Sequence, residues 1–483
     1  MKRIIFIPLV ALVSISQLRA QNEEDALRYS RQYLAGTARA IGMGGAMGSI
    51  GGDFTTLSIN PAGLGVYRGS EFTFSPSLNW NSTTSDFLGN KIQQTNYGLK
   101  IGNIGYIFTK KTDKEKGIVS TSFGIGYNKL NNFNQRILMS GTNTTSSLLD
   151  NFTNIYNNLN KEKSPFYEGL AREIDMVGLD SLGYFNDFQG KWGQLQKRSV
   201  NNSGHIGEYV FSMGTNYSNW LYLGATLGIQ RVRFDRKISH TETVPAGSDI
   251  DFTDEFTFDE DLRTRGHGFN LKIGAIVRPL DFLRLGAAYH TSTLYFLNDQ
   301  FSTSMTGWAW YDPGLEVTSK TADSEIGVYD YTLKSPSKFV GSAAVQVGKF
   351  GLLSVDYERI NYSNAILEGP DYEFIIENST IKNNFKSTNN LRMGAELRLG
   401  SGYLRGGYAI YGSPFTVVDP SADGKYSVIS GGVGIRTSDF FVDLSYANGM
   451  SKEAYYMYLP EMTNGSINKS IYNNMVVTLG FRF

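Results

Sequence analysis

Three arginines in the C-terminal part of the chain have the type and spacing to bind an anion. Arg392 and Arg398 share the polar face of an alternating segment with Glu396, and Arg405 follows in the next segment. A guanidinium offers paired N–H donors that match a carboxylate, so we predict Arg392, Arg398 and Arg405 as ligand-binding residues. The alternative, which the sequence leaves open, is a ladder of internal ion pairs that holds the surrounding structure together.

Residues for catalysis or metal binding do not form a recognisable set. His205, His240, His267 and His290 are scattered without the spacing of metal ligands. A glycine-rich run departs from a dinucleotide-binding loop at Met47, where the third glycine should stand. The sequence contains neither a G-x-S-x-G motif nor a P-loop. We therefore expect no catalytic residue, no cofactor and no metal, and a protein that is not an enzyme.

Charge and composition exclude further classes. Basic and acidic residues number 45 each, so no basic surface for nucleic acid is expected. The 53 glycines, 29 tyrosines and 30 phenylalanines, with only 19% charged residues, suit a chain that alternately faces lipid and water. The absence of cysteine rules out disulfides and a lipidated N-terminal cysteine. Acidic residues at 249–261 are either a solvated rim or ligands for a divalent cation shared with outer-membrane lipid.

The elements that position these residues are β-strands, because polar and apolar residues alternate along most of the chain. The last segment places Met475, Leu479 and Phe481 on one face and Asn474 and Thr478 on the other, as expected between lipid and a polar lumen. Fourteen such segments are found, at 71–81, 96–110, 117–130, 203–217, 220–240, 255–278, 282–297, 328–348, 350–363, 385–399, 402–411, 425–436, 439–447 and 473–483.

The connections between these segments alternate in length. Short ones lie at 112–116, 218–219, 279–281, 349, 400–401 and 437–438, and long ones at 82–95, 131–202, 241–254, 298–327, 364–384, 412–424 and 448–472. An antiparallel barrel with both ends on the periplasmic side gathers the short turns there and the long loops outside. The fold predicted for residues 71–483 is therefore all-β, a fourteen-stranded antiparallel transmembrane β-barrel.

Three other regions do not follow the strand pattern. Residues 1–20 have the basic start, apolar run and small final residue of a signal peptide. Residues 21–70 are rich in glycine and turns and cannot build a core of their own, so we predict an N-terminal hatch that plugs the lumen. Residues 141–200 carry apolar residues at helical spacing, which predicts one or two amphipathic helices outside the membrane. They would form either a cap over the barrel mouth or an apolar surface where ligands first land.

The N-terminal region resembles a known family, the FadL/TodX-type outer-membrane transporters of long-chain fatty acids and aromatic hydrocarbons. The residues that carry the resemblance are the run 38–46, Gly52-Asp53 and Asn60-Pro61-Ala62-Gly63-Leu64, which are similar to the family's hatch and its Asn-Pro-Ala signature. The hatch residues that it implies are Gly42, Gly44, Gly45, Ala46, Asp53, Asn60, Pro61, Ala62, Gly63 and Leu64. Asn60-Pro61 alone would also suit an ordinary turn. With the fourteen strands, the resemblance covers nearly the whole mature chain, in pattern more than in motif.

The resemblance implies passive transport of hydrophobic small molecules across the outer membrane of a Gram-negative bacterium. Ligand would land on the outer loops, bind in an apolar pocket above the hatch, and leave sideways through the wall when the hatch shifts. An apolar pocket extracts such a ligand from water, since each buried methylene contributes about 0.8 kcal/mol. The alternative is a protein-interaction barrel that serves type IX secretion as a carrier or anchor for exported proteins. We expect a monomer, because a closed barrel has no free edge.

Overall fold

The computed structural model describes residues 23–158, 163–250, 252–309, 317–418 and 421–483. The predicted signal peptide, residues 1–20, lies outside this part of the chain. The α-helices of the described part are α1 Glu23–Ser30, α2 Ala38–Gly42, α3 Leu148–Asn157, α4 Glu168–Glu173 and α5 Ile375–Asn384. Its 3-10 helices are η1 Phe54–Ser58, η2 Pro61–Val66 and η3 Tyr362–Asn364. None of the helices in these described ranges is long and apolar enough to cross a membrane.

The strands account for most of the chain. They are β1 Glu71–Phe87, β2 Asn90–Lys111, β3 Ile118–Asn132, β4 Gln135–Thr142, β5 Gly178–Asp180, β6 Gly183–Phe185, β7 Leu195–Tyr217, β8 Leu221–Thr243, β9 Thr253–Leu280, β10 Leu283–His290, β11 Leu294–Ala309, β12 Thr318–Asp323, β13 Gly327–Lys334, β14 Lys338–Val347, β15 Gly351–Asn361, β16 Ile366–Glu368, β17 Ser387–Leu399, β18 Gly402–Tyr411, β19 Tyr426–Arg436, β20 Phe440–Tyr455 and β21 Ser466–Arg482. All except the short β5–β6 hairpin belong to one sheet.

That sheet is a closed, fourteen-stranded antiparallel barrel, as predicted. β1 closes it by pairing with β21, from Glu71↔Arg482 to Asp86↔Ile467. Four of the fourteen strands are interrupted and consist of consecutive segments: β3 with β4, β10 with β11, β12 with β13 and β14, and β15 with β16. Polar residues at the interruptions bridge neighbouring strands, as where the Ser335 backbone N–H donates to the Thr293 carbonyl at 2.9 Å.

The two faces of the strands have opposite character. In β8, Leu223 and Leu227 are 44% and 46% exposed on the outside, whereas Tyr222 and Thr226 are buried inside. The outward residues of β2, β7, β9 and β20 are likewise large and apolar. A continuous apolar belt of this kind is stable only against lipid, so the barrel is a transmembrane one.

One predicted loop is wrong. Residues 82–95 are not an outer loop, because β1 runs to Phe87 and β2 starts at Asn90 after the tight turn Leu88–Gly89. Both turn residues have positive φ, 52° and 81°, as a two-residue hairpin requires. The segment is polar because it rises above the apolar belt, where strand residues need no apolar face. The other outer connections are long, although most are shorter than predicted.

The largest connection, residues 143–194, contains α3, α4 and the β5–β6 hairpin, and we call it the cap. The side chain of Ser147 and that of Asp150 form a capping box at the start of α3. Leu149, Phe152 and Leu170 are buried in a cluster with inward residues of the barrel. The apolar faces of both helices are thus directed into the barrel mouth, which favours the cap over the apolar landing surface.

Candidate functional site

The hatch, residues 23–70, lies inside the barrel and is bonded to several strands. The Ala38 backbone N–H donates to Thr478 Oγ1 at 2.7 Å, and the Gly48 N–H donates to a carboxylate oxygen of Asp356 at 2.9 Å. Further along the hatch, Ser58 Oγ donates to Glu208 Oε2 in β7 at 2.7 Å. The hatch backbone is therefore satisfied by the lumen wall, as buried polar groups must be.

An ion-pair network joins α2 to the wall. Arg39 makes a bidentate interaction with Glu396, in which Nε donates to Oε2 and a terminal nitrogen donates to Oε1, each at 2.9 Å. Arg405 binds the same Glu396 at 2.6 Å and Asp443 at 2.6 Å. Burial alone lowers the pKa of Arg39, but the Glu396 carboxylate outweighs it and raises that pKa, so the pair is ionised.

The predicted Asn-Pro-Ala signature forms the start of η2. Asn60 Oδ1 accepts from the Ala62 backbone N–H at 3.1 Å, and Pro61 occupies the first helical position. Asn60 Nδ2 donates to the carbonyl of Gly48 at 2.6 Å and to that of Ala275 in β9 at 3.2 Å. One amide therefore caps a helix, holds two parts of the hatch together and attaches them to the wall.

Other predicted hatch residues are buried close to the wall. Gly44 and Gly45 have φ of 61° and 78°, which only glycine adopts without strain. Asp53 accepts from the Thr55 N–H at 2.9 Å and caps η1. The remaining predicted hatch residues are also buried: Gly42, Ala46, Gly63 and Leu64.

Inward glycines of the barrel make room for the hatch, and sequence reasoning missed them. A Cβ at Gly274 would overlap Asn60 Oδ1, and one at Gly407 would overlap the Gly44 backbone nitrogen. A signal was present in the sequence, since each of these glycines occupies an inward position two residues after an inward basic residue, Lys272 or Arg405. Their role depends on which hatch residue faces them, which strand periodicity does not show.

The three predicted ligand-binding arginines do not form one site. Arg392 is buried between Asp356 and Glu358, at 3.8 and 3.6 Å, and Arg405 is held by two carboxylates as described above. Arg398 lies at the short-turn end of β17, exposed, with its Nε donating to the Gly400 carbonyl at 3.1 Å. The ladder of internal ion pairs therefore describes Arg392 and Arg405 better, while ligand binding by the three arginines stays a prediction.

The histidines also have structural partners. A ring nitrogen of His290 lies 2.8 Å from the Ile59 carbonyl of the hatch, and one of His240 lies 2.9 Å from Glu242. Within the described ranges, no three metal-ligating side chains come together.

The lumen between the hatch and the cap holds a large apolar cluster, and binding of ligand in an apolar pocket above the hatch stays a prediction. In α1, the Tyr29 ring packs edge-on against Phe133 and Phe234. Leu27 belongs to the same cluster, as do buried residues of the cap. Burial raises the pKa of Tyr29 to about 12, so its ring enters this cluster uncharged. A ligand can pass here only if side chains or the hatch move.

The barrel wall is incomplete between its second and third strands. β2 pairs with β1 from Asn90 to Ile107, but its pairs with β3 begin only at Asn103↔Asn128. The edge of residues 90–102 that faces away from β1 pairs with no strand in the described part of the chain. Tyr97 and Leu99 on this stretch are 71% and 76% exposed, more than outward residues in the paired half of β2. We call this opening the wall gap.

The wall gap exists because β3 bends into the lumen. A bulge shifts its register with β7 between Lys129 and Asn131. Beyond the bulge, β4 stays paired with β7 and packs against both β1 and β2. There it buries Phe87, and Asn90 Nδ2 donates to the Ser140 carbonyl at 2.9 Å. Gln135 of β4 even reaches β21, where its Nε2 donates to Ser470 Oγ at 3.0 Å. Residues 96–102 of this edge lie at the level of the apolar belt. An unpaired strand edge in lipid costs several kcal/mol for each unsatisfied group, so such a gap indicates function.

The hatch contacts both sides of the wall gap. On the β3 side, Asn131 Nδ2 donates to the Arg31 carbonyl at 3.1 Å. On the β2 side, a Cβ at Gly102 would lie 3.2 Å from the Gly36 carbonyl oxygen. A displacement of residues 31–36 would therefore change the backbone at both edges of the gap.

A cavity of about 130 Å³ lies between the hatch and the wall gap. Its lining combines aromatic rings and aliphatic side chains with a set of asparagines and one lysine. Lining residues at the hatch and the gap are Tyr33, Leu34, Ala35, Asn96, Tyr97, Gly98, Lys129, Leu130, Asn131, Asn132 and Asn134. This mixture suits an amphipathic molecule, with its chain on the rings and its polar end on the amides.

The sequence matches no protein-family model and no curated protein. Solved structures do match. A FadL homologue of Pseudomonas aeruginosa is similar with a TM-score of 0.54 and 13% identity, over 94% of this chain and 100% of that chain. The toluene transporter TodX of P. putida is similar with a TM-score of 0.53 and 13% identity, over 93% and 99% of the two chains.

At this level of identity the likeness concerns the fold, and it extends over nearly the whole of both chains. The chain therefore has the FadL/TodX-type fold, a fourteen-stranded outer-membrane barrel whose lumen is closed by an N-terminal hatch.

Proposed function

We propose that this protein is a passive outer-membrane transporter of hydrophobic small molecules, which leave the lumen sideways through the wall gap. The observation that carries this proposal is the cavity between the hatch and the wall gap, bounded by Tyr33 on one side and Tyr97 on the other. A lumen that communicates with the membrane at mid-wall serves a solute that prefers lipid to water.

The fold supports the same class of function. The two solved structures described above are a FadL homologue and a toluene transporter. A lateral route is also compatible with a plugged lumen, since a ligand that leaves through the wall does not have to cross the whole plug to the periplasm. Within the class, the asparagines of the cavity favour a ligand with one polar end, such as a long-chain fatty acid, over a hydrocarbon.

The test closes the wall gap reversibly. A Cβ at Gly98 would lie 3.3 Å from Asn134 Nδ2 across the gap, and the chain has no native cysteine. We expect the variant Gly98→Cys/Asn134→Cys to lose uptake of a labelled long-chain fatty acid when oxidised and to regain it on reduction. The matched control is Ala395→Cys/Gly406→Cys, which bridges two strands already paired in the wall.

Three outcomes separate the possibilities. Loss of uptake in the gap variant alone supports lateral release. Unchanged uptake with a verified disulfide contradicts the lateral route. Absence of uptake by the unmodified protein contradicts transport itself, and a secreted protein that copurifies stoichiometrically would then favour the protein-interaction barrel.

A further inference from the structure

Lys129 is the one lining residue of the cavity whose charge has no counterpart. It is 5% exposed, and within the described ranges its Nζ has no hydrogen-bond partner. It stands directly before the bulge that bends β3 into the lumen. A buried ammonium without a partner is strongly unfavourable, and the neutral amine would still leave its donors unsatisfied. Such a side chain is expected where a ligand supplies the missing acceptor.

A second lysine faces it from the other edge of the gap. Lys100 lies on β2, where it has no strand neighbour on the gap side, and it is close enough to Lys129 for electrostatic repulsion. Two like charges across an opening destabilise it unless an anion lies between them. The carboxylate of Glu453 also lines the cavity, but Arg31 binds it at 3.1 Å.

Arg284 donates to the Ile50 carbonyl of the hatch, and the arginines of the described ion-pair network are already neutralised by carboxylates. Arg39 and Arg405 share Glu396, and Arg392 lies between two carboxylates. An anionic ligand would have to displace a protein carboxylate from any of them. At Lys129 it would displace nothing.

We propose that the wall gap contains a binding site for the anionic head group of a ligand with an alkyl chain, with Lys129 as its main cation and Lys100 as the second. This inference rests on the proposed transport function and specifies its ligand as an acid. The head group is held at the gap while the chain contacts Tyr97, Leu99 and Ile101, the exposed apolar residues of the free edge of β2. A neutral hydrocarbon would gain nothing from the two lysines.

The experiment compares ligands that differ only in their head group. The full chain in a neutral detergent is titrated with oleate, methyl oleate and oleyl alcohol, and the variants are Lys129→Met, Lys129→Arg and Lys110→Met. Lys110→Met is the matched control, because this substitution also removes one lysine charge, but from the exposed opposite end of β2. Each ligand also partitions into detergent micelles. This partition cancels when the apparent affinities of two protein variants for the same ligand are compared as a ratio. Heat-dependent migration on gels verifies that each variant is folded.

We expect wild type to prefer oleate over both neutral ligands by about tenfold, which corresponds to one charge-assisted hydrogen bond. Lys129→Met should abolish the preference without weakening methyl oleate, while Lys129→Arg and Lys110→Met should retain it. Competition by phosphatidylglycerol would support the same site and identify a membrane lipid as an alternative source of the anion.

Two results would overturn the site. Equal binding of oleate and methyl oleate by the wild-type protein would contradict the anion site without the need for a variant. The proposed transport of hydrophobic molecules would not be affected by that result. Full acid preference in folded Lys129→Met would also contradict it. Binding of no ligand by wild type would instead contradict the proposed function.

Discussion

Asn60 of the hatch and Gly274 of β9 are in van der Waals contact, and the contact depends on the absence of a side chain at Gly274. A Cβ at that position would overlap Asn60 Oδ1. The same amide oxygen accepts from the Ala62 N–H, while its nitrogen donates to carbonyls of the hatch and of the wall. The contact fixes where η2 rests on the barrel.

Gly274→Val should therefore dislodge the Asn60 region without disturbing the barrel. The barrel can still form, because Gly274 lies in a fully paired part of β9 and valine favours strands. Asn60→Ala should cost about 1 kcal/mol or more through the lost cap and act in the same direction. Limited proteolysis and antibiotic influx measure hatch displacement. Gly406→Val is the control, since nothing lies near its Cβ position, and an equal effect of that variant would contradict the argument.

The second prediction concerns Glu396, which neutralises Arg39 and Arg405 together. Glu396→Gln would leave Arg39 without a carboxylate and Arg405 with Asp443 alone, and breaking a buried ion pair costs about 3–5 kcal/mol. We expect a clearly lowered thermal unfolding temperature, measured by calorimetry or gel migration. Arg398→Gln removes a charge from the exposed end of the same strand and should leave stability almost unchanged. Equal destabilisation by both variants would mean that the network contributes nothing specific.

Much of this fold could be predicted from the sequence, since strand periodicity depends on local alternation alone. The inward and outward faces of β21 are as predicted, with Thr478 buried and Phe481 exposed. The wrong prediction of a loop at residues 82–95 has a local cause as well. Polar residues such as Thr83 and Ser85 look like a loop, yet here they are the buried inner face of a strand that extends above the lipid.

The candidate site was less predictable, because it depends on which strands pair and which do not. Inward parity correctly placed Arg392 and Arg405 in the lumen, but nothing in the sequence shows that neighbouring acids neutralise them. Nothing in the sequence distinguishes Lys129 from other lysines, since its position in the site depends on the bulge after it and on the missing pairing of β2. Long-range pairing of this kind is a property of the assembled barrel and not of any one segment.

The third prediction concerns the attachment of the cap. Glu242 at the outer end of β8 accepts from Ser147 Oγ at 2.7 Å, from the Leu148 N–H at 2.8 Å and from Gln196 Nε2 at 2.9 Å. Hydrogen bonds to a charged group contribute about 1.5–3 kcal/mol each, and a glutamine amide would oppose some of these donors. Glu242→Gln should speed proteolysis within residues 143–194. Asp261→Asn, half-exposed on the outer face, should leave the cleavage rate unchanged, and a similar acceleration there would argue against Glu242 as the anchor.

The fourth prediction is that transport requires the hatch to move. The cluster around Tyr29 lies between the cap and the rest of the hatch, and residues 31–36 contact both edges of the wall gap. A rigid hatch would therefore separate the outer mouth from the cavity. The Ala38 backbone N–H lies 2.7 Å from Thr478 Oγ1, which brings the two side chains near enough for Ala38→Cys/Thr478→Cys to be bridged.

Uptake of a labelled fatty acid should fall when this pair is oxidised and recover on reduction, whereas either single cysteine should have no redox-dependent effect. Mass spectrometry of the linked peptide verifies the bridge, since a disulfide forms only when the two Cβ atoms come within about 4.5 Å. Binding of oleate at the wall gap should persist in the oxidised protein, because Lys129 belongs to the barrel and not to the hatch. Full uptake through a verified bridge would show that ligand reaches the cavity past a static hatch, by rearrangement of side chains alone.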